Sequence, residues 1–186
     1  MRLLSNHPLI AVLLAVSQTT VPRQGPVSRP AHVILIRHAD KPADPRDPHL
    51  SEAGVKRAEQ LVSFVTGDPA MTKLGSPVAV FATKTTRDGN GQRTQETVAP
   101  LAKALGLRVQ TPFRSKDYAA LAKLVLEDPE YSDKTLLICW NHEQIPQLAA
   151  ALGVSPEPRK WKASVFDLVY VISYRNGKTE LTTARY

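Results

Sequence analysis

"VILIRHADKP", Val33 to Pro42, sets four aliphatic residues directly against an arginine, a histidine, an acid and a lysine. A short unbroken apolar run marks a strand covered on both faces, as in a parallel sheet packed between helices. In such sheets ligands bind in the crevice beyond the carboxyl ends of the strands. A buried strand that runs straight into charge therefore places its chemistry at that edge.

The pattern repeats outward from this stretch. "SEAGVKRAEQLVSFVT" predicts a helix N-capped by Ser51, with Val55, Ala58, Val62 and Val65 facing inward. "PVAVFA" (77–82) predicts a second buried strand. "RTQETVAPLAKALG" predicts a helix closed by Gly106 and kinked at Pro100. "LRVQ" is a short strand, "SKDYAALAKLVLE" a helix with Tyr118, Leu121 and Val125 inward, and "TLLICW" (135–140) a strand. "IPQLAAALG" is a helix with proline in its first turn and glycine after its last. "VFDLVYVISYRNGKTELTT" predicts two strands around an Asn176-Gly177 hairpin turn. The alternation predicts an α/β three-layer sandwich: a mainly parallel central sheet, helices on both faces, and a C-terminal hairpin.

Length and composition narrow the setting. The 186 residues suffice for one domain with a full core. A net charge of +7 points to an anionic partner. No basic stripe with interleaved aromatics is present, so nucleic acid is not the expected partner; a phosphorylated small molecule is. The single cysteine, Cys139, sits in an apolar run and reads as a small buried hydrophobe. At the N-terminus, Arg2, the apolar stretch Leu9 to Val16 and small residues around Ala15 and Ser17 predict a cleavable signal peptide over 1–17. Residues 18–30, with "VPRQGPVSRP", read as a proline-rich tether, and 31–186 as the folded domain. The apolar run is too short for stable membrane insertion after processing, and the expected location is periplasmic or secreted.

Three predicted strands end on polar groups, at Arg37-His38, Thr83-Lys84 and Asn141-His142. Arg93 opens the helix after the second. Arg37, Lys41, Arg93 and two imidazoles around one crevice repel each other unless an anion joins them, and a phosphate dianion accepts all their hydrogen bonds. The helix starts after Asn141 and near Gln92 add oriented N–H groups. His32 and His49 read as an exposed strand end and a loop residue, and Trp140 as core or cleft wall.

"RHADKP", "LSEAG", "RTQET" and "NH" after an apolar strand, taken together in this order, resemble the histidine phosphatase superfamily, also called phosphoglycerate mutase-like. The resemblance implies that His38 is the nucleophile carrying the phosphoryl group, and that Arg37, Arg93 and His142 grip its oxygens. Lys41 matches a basic position of the acid phosphatase and phytase branch. No metal and no cofactor is implied. A neutral imidazole approaches a phosphate dianion without the repulsion a carboxylate meets.

The chain departs from the family pattern in places. Ala39 stands where a glycine is usual, and the family's asparagine a few residues on is replaced by Asp44 or by nothing. The link "ATKTTRDGNGQRTQET" is long, which leaves Arg87 as a competitor of Arg93 and makes "DGNGQ" a rim loop. For the proton donor, Glu143 is the first choice, with Asp117 and Asp40 as alternatives. A metal held by His38, Asp40, His142 and Glu143 is a weaker alternative. The expected activity is hydrolysis of phosphate monoesters through a phosphohistidine. A catalytically idle phosphate or phosphosugar binder on the same fold, or a phosphohistidine-protein phosphatase, is the alternative.

Overall fold

The computed structural model describes residues 29–44 and 46–186; the predicted signal peptide and most of the tether lie outside the described residues. In chain order the elements are β1 (His32–Arg37), α1 (Glu52–Gly67), α2 (Pro69–Thr72), β2 (Pro77–Ala82), α3 (Gln92–Ala104), β3 (Val109–Gln110), α4 (Tyr118–Glu127), β4 (Thr135–Trp140), α5 (Ile145–Ala151), β5 (Leu168–Arg175) and β6 (Lys178–Arg185). The strands form one sheet in the order β3-β2-β4-β1-β5-β6. β1, β2, β3 and β4 run parallel, while β5 and β6 are antiparallel to their neighbours.

β1 and β4 are buried along their whole length because both faces are covered. On one face Ile34, Ile36, Leu137 and Cys139 pack with Leu61 and Val65 of α1 and Val98 and Leu101 of α3. On the other Leu35, Leu136 and Ile138 pack with Leu121 and Val125 of α4 and Leu148 of α5. The period of two along each strand thus feeds both layers of the sandwich. Cys139 belongs to the first of these layers and is buried. Asn176 and Gly177, both at positive φ, close the hairpin with Arg175 paired to Lys178.

The structure corrects several sequence expectations. In α1 the inward face is Gly54, Ala58, Leu61 and Val65, and Val55 is 49% exposed. Rotation by about one residue follows from the close approach of Gly54 to the chain after β1. A Cβ on Gly54 would lie 2.2 Å from the Asp40 carbonyl oxygen. The glycine of "LSEAG" therefore lets the helix touch the backbone two residues past His38. Ser51 caps that helix as expected, accepting from the Gly54 N–H at 3.1 Å, and its own N–H donates to the Asp40 carbonyl at 3.0 Å. His32 is buried, not exposed: β1 is central, and the ring meets the Ser173 hydroxyl of β5 at 2.8 Å. Pro100 lies inside α3, as expected. The final hairpin begins at Leu168, so Val165 and Phe166 precede the strand.

Candidate active site

The strand ends open on a cleft of about 350 Å³ lined by Arg37, His38, Lys41, Arg93, His142 and Glu143 together with Arg46, Asp88 and Asn90. All six residues named from the sequence meet there. The end of β2 does not. Thr83 turns inward, where its hydroxyl meets that of Thr94 at 2.6 Å, and Lys84 is exposed outside the cleft. This end of β2 supports α3 instead of facing the cleft.

His38 follows the last residue of β1 and is buried. Its Nδ1 lies 2.8 Å from the Ala39 carbonyl oxygen. A carbonyl only accepts, so Nδ1 carries the proton and Nε2 of the neutral ring carries the lone pair. Burial pushes the imidazolium down to about 4; the Ala39 carbonyl opposes this, and the charges of Arg37, Arg93 and His142 add to it. His38 is thus a neutral base with a fixed tautomer at neutral pH. Ala39 is buried, its N–H donating to the Thr97 hydroxyl of α3 at 2.8 Å.

Arg37 is 1% exposed. Its Nη1 donates to the carbonyls of Ala163 at 2.6 Å and Val165 at 3.1 Å, and the guanidinium lies 3.9 Å from the centre of the Phe166 ring. Its Nε is buried and finds no hydrogen-bond partner among the described residues. Burial pushes Arg37 down to about 10, with Asp40 opposing, so it remains a cation at neutral pH.

Every residue of "RTQET" has a structural task. Arg93 donates from Nε to the His49 carbonyl at 3.0 Å and from Nη2 to the Asp47 carbonyl. Thr94 joins Thr83 to the Gly91 carbonyl. Gln95 donates to the Thr83 carbonyl at 2.9 Å. Glu96 accepts from the Leu50 N–H at 2.9 Å and pairs with His49, whose imidazolium it holds above the usual range. Thr97 ties Ala39 to the Arg93 carbonyl. The motif pins the loop 47–50 to α3, and that loop's carbonyls aim Arg93. Arg87 is exposed and lies outside the cleft lining.

His142 and Glu143 lie in the turn between β4 and α5, where the Gln144 N–H donates to the Asn141 carbonyl at 3.0 Å. The helix starts only at Ile145, so this turn, and not a helix start as expected, borders the cleft. At the other border α3 does reach it, through Arg93 and Thr94 and its N-cap residue Gly91. Burial and the charges of Arg37 and Lys41 hold His142 below its ordinary value, against the pull of Glu143. Of the alternative donors, Asp117 accepts from the Arg114 N–H at 3.2 Å and Asp40 pairs with Arg57 at 2.6 Å; neither borders the cleft. That pairing also takes Asp40 away from the alternative metal set. Asp44 is exposed and paired with Arg46. Trp140 is core, its Nε1 donating to the Ser115 carbonyl at 2.9 Å. The "DGNGQ" loop forms one rim, tied to the turn after β4 by the Asn141 amide, which donates to the Asn90 side-chain oxygen at 3.2 Å.

Sequence reasoning missed Phe166 and Arg46. Phe166 sits in an apolar stretch that reads as strand, and Arg46 in a proline-rich loop; neither carries a local signal.

The sequence matches no protein-family model and no curated protein. Solved structures do match. A protein assigned as the phosphohistidine phosphatase SixA from Agrobacterium tumefaciens aligns over 86% of this chain and 99% of its own, with TM-score 0.56 and 18% identity. The mycobacterial glucosyl-3-phosphoglycerate phosphatase, solved with inorganic phosphate, aligns over 84% and 96%, with TM-score 0.55 and 14% identity. The phosphoserine phosphatase of Entamoeba histolytica, solved with 3-phosphoglyceric acid, aligns over 83% and 96%, with TM-score 0.56 and 14% identity. These neighbours belong to the histidine phosphatase superfamily. The chain has the histidine phosphatase fold: a central, mostly parallel six-stranded sheet flanked by helices, with the antiparallel β5-β6 hairpin at its C-terminal end.

Proposed function

We propose that this chain hydrolyses phosphate monoesters of small molecules through a phosphohistidine on His38. The observation that carries the reading is the neutral, tautomer-fixed His38 imidazole in a cleft that also holds Arg37, Lys41 and Arg93. The lone pair on Nε2 attacks phosphorus, the P–O bond to the leaving group breaks, and Glu143 delivers a proton to that oxygen. Water then attacks the phosphohistidine, the Glu143 carboxylate takes its proton, and the P–N bond breaks to release phosphate and restore the lone pair. Arg37, Lys41, Arg93 and His142 hold the phosphoryl oxygens, whose charge a loose transition state leaves exposed. The phosphatase names of the structural neighbours support the same class of reaction.

The Glu143→Gln variant tests the mechanism. It should slow turnover of sugar phosphates, whose alkoxide needs a proton, by about a hundredfold or more, the usual contribution of one general acid. It should spare p-nitrophenyl phosphate, whose phenolate leaves unaided. Equal losses on both substrates would remove Glu143 as the donor. We further propose that the enzyme works in the cell envelope after cleavage behind Ser17, on the strength of the sequence of residues 1–17. N-terminal sequencing of the protein from its host should begin near Gln18, and an intact Met1 on a cytosolic protein would end this part of the reading.

A further inference from the structure

The loop between α5 and β5 lies against the nucleophile and its arginine, though it carries no charged group that enters the chemistry. Its residues 163–166 meet Arg37 on two different surfaces of the same planar group. The carbonyls of Ala163 and Val165 take N–H bonds from Nη1 in the guanidinium plane, while the Phe166 ring covers its face at 3.9 Å. Trp161 braces the turn, its Nε1 donating to the same Val165 carbonyl at 2.9 Å, and the Val165 N–H donates to the Lys162 carbonyl at 3.0 Å. A guanidinium held along one edge and one face keeps its remaining in-plane donors, the unpartnered Nε among them, on a fixed bearing. The same Phe166 ring lies 6.0 Å from the His38 ring, tilted by 55°.

We propose that Phe166 is a positioning residue for this site, its ring holding Arg37 as a fixed charged donor and keeping water off His38. The proposal rests on the roles given above to His38 and Arg37 and adds the residue that sustains both. The physics of the two contacts differs. Over Arg37 the ring's negative face compensates a cation that burial removes from water. Beside His38 the ring supplies apolar surface that keeps the imidazole neutral. The charged and titratable groups around that imidazole are Arg37 from β1, Arg93 from α3, His142 and Glu143 from the turn after β4, and Lys41 from the loop that follows β1. Of these, Arg37, Arg93 and His142 oppose protonation of His38 in the same sense as the ring.

Three variants separate these effects: Phe166→Tyr, which keeps the aromatic face, Phe166→Leu, which keeps apolar bulk alone, and Phe166→Ala. Each is compared with the wild type by p-nitrophenyl phosphate kinetics against pH, by NMR titration of the His38 ring protons, and by affinity for inorganic phosphate. The tyrosine variant should stay within about threefold of wild type in kcat/KM, and the leucine variant should lose roughly tenfold with weaker phosphate binding. The alanine variant should in addition raise the His38 titration by about one unit and carry the acid limb of kcat/KM with it. Leucine and alanine variants indistinguishable from wild type in kcat/KM, phosphate affinity and His38 titration would overturn the proposal. If the alanine variant fails to fold, the tyrosine and leucine pair decides. A wild-type protein without turnover would count against the proposed activity, while the NMR titration and phosphate affinity would still decide the role of Phe166.

Discussion

His38→Ala is expected to leave a folded protein whose turnover has fallen by several orders of magnitude and which no longer takes up phosphate covalently. Without it the cleft keeps His142, which in the proposed mechanism grips the phosphoryl oxygens, but loses the tautomer-fixed ring whose Nε2 lone pair attacks phosphorus. Rapid quench with a labelled phosphomonoester should trap label on the wild-type protein that is acid-labile and alkali-stable, as a phosphoramidate is. Label persisting on the variant would remove the nucleophile assignment. The fold should survive because Nδ1 bonds only to the adjacent Ala39 carbonyl, and the space left opens on the cleft. The variant should also change the acid dependence of stability. His38 titrates at about 4 in the folded chain and near the ordinary 6.5 when unfolded, so between those values the unfolded chain binds more protons. The His38 contribution to stability is therefore fully present above about pH 6.5 and falls as pH drops toward 4, by on the order of 3 kcal/mol. Urea unfolding at pH 4.5 and pH 7 should show a smaller difference for His38→Ala than for the wild type.

Arg93→Ala should cut kcat by about a hundredfold or more, the usual cost of losing a charged contact to developing transition-state charge. Its guanidinium is anchored by two backbone carbonyls, so it meets the substrate already oriented. Arg87→Ala should change kcat by less than about threefold, because that side chain is exposed and borders no part of the cleft. Steady-state kinetics on both variants decides between them. The reverse order of effects would mean that the chain between β2 and α3 is placed differently during turnover.

Much of this architecture is legible in the chain because its signals are local. Apolar runs of four to six residues bounded by polar residues or prolines announce β1, β2 and β4, and Asn176-Gly177 announces the hairpin. The ends of those strands name His38 and His142, since parallel strands leave their carboxyl ends on one edge. The inward face of α1 was misread because a period of 3.6 cannot distinguish Val55 from Gly54. That choice belongs to the Asp40 carbonyl, which leaves no room for a Cβ. His32 was misread because its neighbour, Ser173, lies 141 residues away.

What the sequence determined by itself was the sandwich, its strand ends and the kinds of side chain gathered there, all set by periodicity and turn chemistry along the chain. Which of those groups share one cleft, which arginine is aimed into it, and which nitrogen of His38 keeps its lone pair were decided by tertiary structure. Thr83 and Asp40 were turned away by partners on α3 and α1, Arg93 was aimed by the carbonyls of Asp47 and His49, and Arg37 was held under Phe166, which lies 129 positions further on. Such contacts depend on direction and distance between segments far apart in the chain, and no local period encodes them.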